Sequence, residues 1–380
     1  MTDIAAIFMR GGTSKGVFFT ESDLPRKASD RDAVLLRVIG SPDPFERHTD
    51  GMGAATSSTS KVVLVGSSFR DDCDIDYLFG HVSITEPTID YSGNCGNLTA
   101  AVAPFAIHCG LIEPVEPFTH VRLWQRNVGQ RIDAFVSVRN GKVVESGVFD
   151  EDGVPFASAE IRLEYFGPGQ DTVAPPMLPT GNVVDTLDVP GFGPLKVTMV
   201  TSGNPAVFVR AEDIGLTGRE MPVSFNPKLS KLGEGLEAIR AHASVAMGLA
   251  ETPEIATHER PATPKLCWVA APKSYKASSG LEVAASSIDV LARIMSMGKL
   301  HHAFTDTGSI ALAVAAALPG SIVNQVARGL PGVPTRIGHV SGTLSVGAQL
   351  FQQQGSWCLE KALMSRSARR LMSGLVHLPD

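Results

Sequence analysis

The chain has 380 residues, which is long for a single hydrophobic core, so we expect two domains. Its net charge is −6 and the sequence has no basic cluster, which argues against nucleic acid as a partner. No apolar run reaches the roughly 18 residues of a membrane span, and the first ten residues lack a secretory pattern, so the sequence predicts a cytoplasmic protein without a membrane partner. Its five cysteines form no CxxC pair, which argues against a disulfide framework and a structural zinc site.

Short strands and turns dominate the first 90 residues, where we predict strands at 4–9, 16–19, 61–65, 75–79 and 81–84. The first strong helix is predicted over 98–108, and its Ala, Leu and Val content is typical of a fully buried helix. Strands at 121–126, 131–138 and 142–148 follow. Asn140-Gly141 predicts a hairpin turn between the last two.

The Pro- and Gly-rich stretch 166–181 indicates a surface connection, and we place the domain boundary near it. Beyond it we predict strands at 195–201, 206–210 and 266–271, helices at 232–247 and 309–318, and a strand or short helix at 361–372. The expected domains are 1–183 and 184–380. We leave open that the C-terminal segment 370–380 packs back on the first domain.

Two pairs of segments, separated by about half the chain, are alike. The stretch 12–19 resembles 202–209, because each is a small polar turn that leads into an apolar strand. The stretch 94–102 resembles 306–314, because each is a turn that leads into an Ala-rich helix. The simplest interpretation is two homologous domains that present polar loops to one cleft, where a small molecule binds.

Cys95 lies directly before the first buried helix, between Asn94 and Gly96. A thiol at a helix N-terminus faces unpaired backbone N–H groups and the positive end of the helix dipole, and both favour the thiolate. The alternative is a buried structural cysteine. The glycine and asparagine residues on both sides favour a functional role, because they let a ligand approach the backbone.

Lys61 follows five hydroxyl residues, 56–60, and opens a predicted strand. A lysine at a strand start is usually solvated. Here the hydroxyl residues and the glycines at 51 and 53 suit the lining of an anion site. A lysine that is partly desolvated loses its proton more readily and acts as a base.

The loop 11–16 invites comparison with a phosphate-binding loop, but its order is Ser-Lys-Gly and a strand follows where that motif requires a helix. The alternative is a loop that offers N–H and hydroxyl donors to carboxylates, with 202–204 doing the same in the second half. His301 and His302 lack an obvious third metal ligand, so a structural role is favoured. His339 and Ser341 are candidate anion donors, and Arg366 is interpreted as a surface charge.

At these residues the chain resembles the PrpF family, the 2-methylaconitate cis-trans isomerase type. The matching motifs are MRGGTSKG (9–16), DGMG (50–53), TSSTSKVV (56–63), SGNCGNLTAAV (92–102), SGNP (202–205), MGKLHHAFT (297–305) and MSRSAR (364–369). The resemblance extends over essentially the whole chain.

This resemblance implies an α/β (α+β) fold of the diaminopimelate-epimerase type. Such a fold has two similar domains, each a curved mixed sheet wrapped around a central helix, with the active site in the cleft between them. It implies catalysis without metal, flavin or pyridoxal phosphate, so no cofactor is expected. The catalytic lysine and cysteine of the family correspond to Lys61 and Cys95. The implied substrates are small anionic unsaturated di- and tricarboxylates, such as the 2-methylaconitate of propionate catabolism, and a homodimer is left open.

Epimerases of this fold carry a catalytic cysteine in each half, whereas the second-half equivalent here is Thr307. The resemblance therefore implies that the catalytic pair comes from the first half and that the second half mainly binds substrate. We favour Lys61 as the base and Cys95 as its partner, with reversed roles left open. The predicted substrate-binding residues are Thr13, Ser14, Lys15, Met52, Ser60, Asn94, Gly96, Asn97, Ser202, Gly203, Asn204, Thr307, Gly308, Ser309, His339, Ser341 and Gly342.

Other functions compete with an allylic isomerase of the aconitate type. One is a 4-oxalomesaconate isomerase or tautomerase of aromatic-acid catabolism. Another is a cofactor-independent racemase or epimerase, which the missing second cysteine disfavours. An organic-acid binding protein needs neither Lys61 nor Cys95, and a nucleotide-binding protein lacks its motif.

Overall fold

The structure, a computed structural model, describes residues 2–167, 176–222, 224–225, 231–296, 298–329 and 332–378. Residues 168–175 of the predicted connection, and Met297 of one family motif, lie outside this set. The chain divides into two compact units. Unit 1 comprises Met1–Tyr165 with Ser365–Asp380, and unit 2 comprises Phe166–Met364. Within the described ranges no helix is long and apolar enough to span a membrane.

The N-terminal part of the chain contains two helices among short strands. These elements are β1 Thr2–Gly11, β2 Ser14–Thr20, α1 Ala28–Ile39, β3 Lys61–Ser67, β4 Ile75–Val82, β5 Ile89–Asp90, α2 Gly96–His108, β6 Phe118–Gln125, β7 Gln130–Arg139, β8 Lys142–Val143 and β9 Glu160–Phe166.

The rest of the chain follows a related order and ends in one long strand. These elements are β10 Asp185–Val189, β11 Gly193–Val200, β12 Ala206–Arg210, α3 Lys231–Ala246, α4 Pro253–Glu259, β13 Lys265–Ala270, β14 Tyr275–Lys276, β15 Glu282–Val283, β16 Val290–Ser296, β17 Lys299–Leu300, α5 Asp306–Ala317, α6 Ile322–Val326, β18 Thr335–His339, β19 Gly342–Gln353 and β20 Ser356–Leu378.

The two units share one sequence of strand pairings. In unit 1, the pairings β1–β2, β3–β4 and β6–β7 are antiparallel, and β2–β3 and β4–β6 are parallel. In unit 2, the pairings β11–β12, β13–β16 and β18–β19 are antiparallel, and β12–β13 and β16–β18 are parallel. Helices α2 and α5 occupy corresponding places, each between the two strands of the second parallel pairing in the chain. Each unit therefore has the repeated α/β architecture that the sequence predicts.

Each unit has one helix that is buried on nearly every side. Helix α2 packs against β1, β2, β3 and β7, and α5 packs against β11, β12, β18 and β19. All residues from Gly96 to Ile107 are buried, as are those from Asp306 to Ala315. The many alanines allow the surrounding strands to approach closely. The burial of both helices confirms the prediction made from their sequences.

The other face of each sheet is covered by an amphipathic helix. Leu35, Val38 and Ile39 of α1 pack in one core cluster with Val62 and Leu64 of β3. Sequence reasoning predicted only strands and turns in this region, which is wrong for Ala28–Ile39. The error has a physical cause: the buried apolar positions of α1 are confined to its second half, and its exposed first half is polar.

Several boundaries differ from the predictions. Strand β4 is continuous from Ile75 to Val82, and β8 is only two residues long. Asn140 and Gly141 have φ of 53° and 66°, as a tight hairpin turn requires. The predicted segment 361–372 belongs to the long strand β20, whose part from Ala368 to Leu378 pairs antiparallel with β1.

Arg366 corrects an expectation, because it is buried rather than a surface charge. Its side chain is 6% exposed, and its Nε lies 3.5 Å from Oε1 of Glu151, which is equally buried. Glu151 is more than 200 residues from Arg366 in the sequence, so no local sequence pattern predicts this ion pair.

Candidate active site

Lys61 begins β3 and points to the side of the sheet that carries α2. Side chains alternate along a strand, and Val62 and Leu64 face the α1 cluster, so Lys61 faces the other way. Its Nζ donates hydrogen bonds to Ser14 Oγ at 3.0 Å and to Cys95 Sγ at 3.1 Å. The residue is 8% exposed, and its Nζ lies 5.8 Å from the centre of the Phe79 ring. An amine and a thiol are therefore in direct contact in a site from which water is largely excluded.

Cys95 is the N-cap residue of α2, with φ −111° and ψ 95°. The first helical hydrogen bond runs from the Thr99 N–H to the Cys95 carbonyl oxygen at 3.0 Å, and the Thr99 hydroxyl donates to the same oxygen at 3.1 Å. Cys95 forms no disulfide and is 9% exposed. It lies where the unpaired N–H groups of the first turn and the helix dipole favour negative charge.

The loop between β1 and β2 is fastened to the same end of α2. The Thr13 N–H donates to Asn97 Oδ1 at 3.0 Å, and Ser14, which is 4% exposed, accepts from Lys61. Gly12 has φ +50°, and a Cβ built on it would lie only 1.9 Å from Asn97 Oδ1. The loop therefore needs glycine at this position both for its conformation and for the closeness of the contact.

Lys15, also predicted to bind substrate, lies beside this cluster. Its N–H donates to the Ser58 carbonyl oxygen at 3.0 Å, which ties the loop to the hydroxyl stretch before Lys61. Its Nζ lies 5.3 Å from the centre of the Phe8 ring. The ammonium group of Lys15 is thus positioned by the Phe8 ring and not by the residues around Lys61.

Asn94 is held by a buried hydroxyl pair that sequence reasoning missed. The Tyr77 hydroxyl donates to Asn94 Oδ1 at 3.3 Å and lies 2.8 Å from Thr99 Oγ1, and Asn94 Nδ2 donates to that same Oγ1 at 3.3 Å. Burial raises the pKa of Tyr77 well above its usual value, so the phenol keeps its proton. These bonds fix the turn before Cys95, and Gly96 begins the helix directly after it.

Two predicted site residues before Lys61 have contacts elsewhere. Met52 packs against the α1 cluster, and Ser60, which is fully buried, places its Oγ 3.3 Å from Nδ1 of His48. The Ala55 N–H donates to the same Nδ1 at 3.3 Å, so this nitrogen acts as an acceptor. His48 therefore organises the loop that leads to Lys61. Sequence reasoning did not single it out.

In unit 2, the loop 202–204 lies against the first turn of α5. Gly203 has φ +78°, and a Cβ on it would lie 2.5 Å from the Thr307 carbonyl oxygen. Helix α5 begins earlier than predicted because Thr305 is its N-cap, with its Oγ1 accepting from the Gly308 N–H at 3.3 Å. Thr307 is therefore inside the first turn, whereas its counterpart Cys95 caps its helix. The Ser309 hydroxyl is used within the helix, where it donates to the Asp306 carbonyl oxygen at 2.7 Å.

The third predicted group of unit 2 is a tight turn between β18 and β19. The Ser341 N–H donates to His339 Nδ1 at 3.2 Å, and the Ser341 hydroxyl donates to the His302 carbonyl oxygen. The Tyr275 hydroxyl donates to the carbonyl oxygens of His339 and Gly342. The side chain of Ser341 is thus engaged in holding this turn.

The rings of His301 and His302 stack on each other, with their centres 4.5 Å apart. In the part of the chain that the structure describes, no three His, Cys, Asp or Glu side chains are grouped as metal ligands.

Three of the other cysteines lie in settings that disfavour the thiolate. Burial raises the pKa of Cys73 to about 11, and burial also raises the pKa of Cys267 and of Cys109. Cys95 differs from these three in that its Sγ accepts a hydrogen bond from Lys61 Nζ.

A comparison with models of protein families matches residues 1–379 to the family described as PrpF protein. The chain belongs to the PrpF family. This confirms the resemblance seen in the sequence motifs, and the match covers both units.

Curated relatives of this PrpF chain are isomerases. The 2-methyl-aconitate isomerase of Shewanella oneidensis is 50% identical and covers 99% of this chain and 97% of its own length. The 3-methylitaconate isomerase of Eubacterium barkeri is 40% identical, and the match covers 99% of this chain and 97% of the relative's length. The 4-oxalomesaconate tautomerase of Pseudomonas putida is 35% identical, with shares of 99% and 96%. These relatives confirm the prediction of an isomerase.

Solved structures confirm the predicted fold of this family member. A methylitaconate-delta-isomerase has a TM-score of 0.83 at 40% identity and covers 99% of this chain and 95% of its own. A hydroxyproline epimerase from Agrobacterium vitis has a TM-score of 0.57 at 15% identity, with shares of 100% and 93%. The second likeness shows the fold alone, and it places this chain on an epimerase-like scaffold.

Proposed function

We propose that this chain isomerises an unsaturated di- or tricarboxylate by an allylic proton shift, and that Lys61 and Cys95 move the proton. The observation that carries the proposal is the 3.1 Å contact between Lys61 Nζ and Cys95 Sγ in a buried site. The relative from Shewanella oneidensis, named for 2-methylaconitate, supports an acid of the aconitate type as substrate. The relative from Pseudomonas putida, named for 4-oxalomesaconate, supports that acid as the alternative substrate.

The proposed reaction begins when a base removes a proton from the carbon one position beyond the double bond. The electron pair of that C–H bond spreads through the double bond into a conjugated carboxylate, which gives a dienolate. An acid then returns a proton to a different carbon, and the double bond moves. Where the substrate geometry changes, rotation about the transient single bond produces the cis-trans outcome. Fixed donors that meet the charge as it develops lower the barrier.

Lys61 as a neutral amine is the proposed base, and the Cys95 thiol is the proposed acid. After one turnover Lys61 Nζ holds the proton from the substrate and Cys95 Sγ lacks one. Transfer of a proton along the 3.1 Å contact restores the starting state, so no other group needs to relay it. The same contact permits the reversed roles.

The substrate-binding residues predicted from the sequence remain a proposal. Around Lys61 and Cys95 the supporting features are the hydroxyl of Ser14 and the N–H groups at the start of α2. In unit 2 they are the loop 202–204 and the first turn of α5, which touch each other. Thr307 cannot act as a second thiol, which speaks against a symmetrical racemase.

We also propose a homodimer that uses the outer part of β20. Leu371, Met372 and Leu375 are 42%, 46% and 52% exposed in the part of β20 that pairs with β1. Apolar residues on an outer strand invite pairing with a second copy, and the small Ser373 and Gly374 between them permit close approach. Light scattering of wild type and Leu375→Glu tests this, and a monomeric wild type at micromolar concentration would contradict it.

A cytoplasmic location stays a prediction that cell fractionation tests.

The deciding experiment incubates the protein with 2-methylaconitate, aconitate and 4-oxalomesaconate in deuterium oxide and follows proton NMR. Wild type should convert at least one acid and incorporate deuterium at the carbon that is reprotonated. Lys61→Met should lower the rate by about 10² to 10⁴, the usual contribution of an acid–base group. Lys196→Met is the control, because Lys196 is exposed and bonds only Thr186 among the described residues. Near-normal turnover by folded Lys61→Met would refute the assignment.

A further inference from the structure

The duplicated topology places a second lysine at the position of Lys61. The parallel pairing of β2 with β3 sets Val17 opposite Val62, and that of β12 with β13 sets Val207 opposite Leu266. When these pairs are superposed in register, Lys61 and Lys265 coincide, each as the first residue of its strand. Neither of the sequence repeats identified above includes Lys61 or Lys265, so only the strand register reveals that the two lysines correspond.

Lys265 faces the central helix of its unit, as Lys61 does. Leu266 and Trp268 belong to the core cluster that contains α3, so the alternation of side chains turns Lys265 toward the side of α5. Both lysines are 8% exposed. The Lys265 Nζ donates to Ser296 Oγ at 3.2 Å, a hydroxyl partner like the Ser14 of Lys61.

Two polar side chains at corresponding places in unit 2 have no hydrogen-bond partner among the described residues. In the shared register Asn204 corresponds to Ser14, and Thr307 corresponds to Cys95 in the helix repeat. Asn204 is 8% exposed and Thr307 is 5% exposed, and neither side chain is hydrogen-bonded to any described residue. Neither is among the described side chains whose buried polar atoms lack a partner, so the polar atoms of both reach solvent and are accessible to a ligand that accepts hydrogen bonds.

We propose that Lys265 is a carboxylate-binding residue of unit 2, acting with Asn204 and Thr307 on the polycarboxylate substrate. The inference rests on the proposed function for the identity of the ligand. The Lys265 ammonium supplies the charge, and the Asn204 amide and the Thr307 hydroxyl supply neutral donors to the same anion. Lys265 has no thiol at the place of Cys95, so its part is binding and not proton transfer.

The test compares Lys265→Met with Lys265→Arg and with the exposed-lysine control Lys196→Met. Loss of a charge-assisted hydrogen bond should raise KM by about tenfold to a hundredfold, with kcat changed less than about threefold. Lys265→Arg keeps the charge and should restore part of the loss. A KM equal to that of wild type in folded Lys265→Met, or a loss confined to kcat, overturns the proposal.

A second measurement uses wild type and does not depend on the folding of a variant. Reductive methylation is followed at each lysine by mass spectrometry, with and without tricarballylate, a saturated tricarboxylate that cannot isomerise. Lys265 should be protected by the ligand, whereas Lys196 should not. Equal methylation of Lys265 under both conditions contradicts the proposal.

The two proposals fail in distinguishable ways. If wild type converts no acid, yet tricarballylate protects Lys265 and raises the melting temperature of wild type but not of Lys265→Met, the carboxylate site stands and the isomerase proposal fails. If wild type converts an acid and Lys265→Met keeps both its KM and its response to tricarballylate, the isomerase proposal stands and the Lys265 site fails.

Discussion

Gly12→Ala is a sharp test of the way the loop between β1 and β2 is fastened to α2. Gly12 has φ +50°, and an added Cβ would lie 1.9 Å from Asn97 Oδ1, the atom that accepts the Thr13 N–H. Gly110 in the same unit has φ +71° with no atom within 4 Å of its added Cβ, so Gly110→Ala is a matched control. Both variants carry the strain of a left-handed alanine, about 1–2 kcal/mol, and only Gly12→Ala also forces Asn97 away.

Forced displacement in a packed site costs about 1–3 kcal/mol beyond that strain, which is the expected difference between the two variants in free energy of unfolding. The difference is read from urea unfolding curves. Activity should separate them further, because Ser14 is two residues from Gly12 and bonds Lys61. Misplacement by about 1 Å in an active site can lower the rate by about 10². Equal losses of stability and of kcat/KM in both variants would refute the argument from Asn97.

Three further predictions concern the thiol, the buried phenol and metals. Cys95 should react with iodoacetamide faster than Cys73, whose pKa is raised to about 11 by burial, and tricarballylate should slow it; mass spectrometry of each cysteine checks both statements. Tyr77→Phe removes a donor from the buried Asn94 and Thr99, which should lower the free energy of unfolding by about 1–3 kcal/mol in urea titrations. Activity should survive chelation and dialysis, and its loss with recovery on adding one divalent metal would count against the proposed mechanism.

The features that could be predicted are those that depend on residues close together in the sequence. The central helices follow from unbroken runs of small apolar residues, and the position of Cys95 at a helix start follows from the turn before it. The first residue of α5 could not be placed from the repeat, because Thr305 caps the helix through its own side chain.

Contacts between residues far apart in sequence could not be predicted. The burial of Arg366 depends on Glu151, and the burial of Tyr77 depends on Asn94 and Thr99 on another element. Lys265 was missed for the same reason, since its likeness to Lys61 lies in strand register and not in neighbouring residues.

The pairing of β1 with β20 has a consequence for how the protein is made. Unit 2 is continuous from Phe166 to Met364, so all its residues have been synthesised before the last strand of unit 1 exists. Strand β1 is synthesised long before the part of β20 with which it pairs, since Thr2 pairs with Leu378 and Gly11 with Ala368. Domains generally fold as units during synthesis. Unit 2 should therefore reach its native state first, and a chain that ends at Met364 and has been released from the ribosome should contain a protease-resistant unit 2 and an unfinished unit 1.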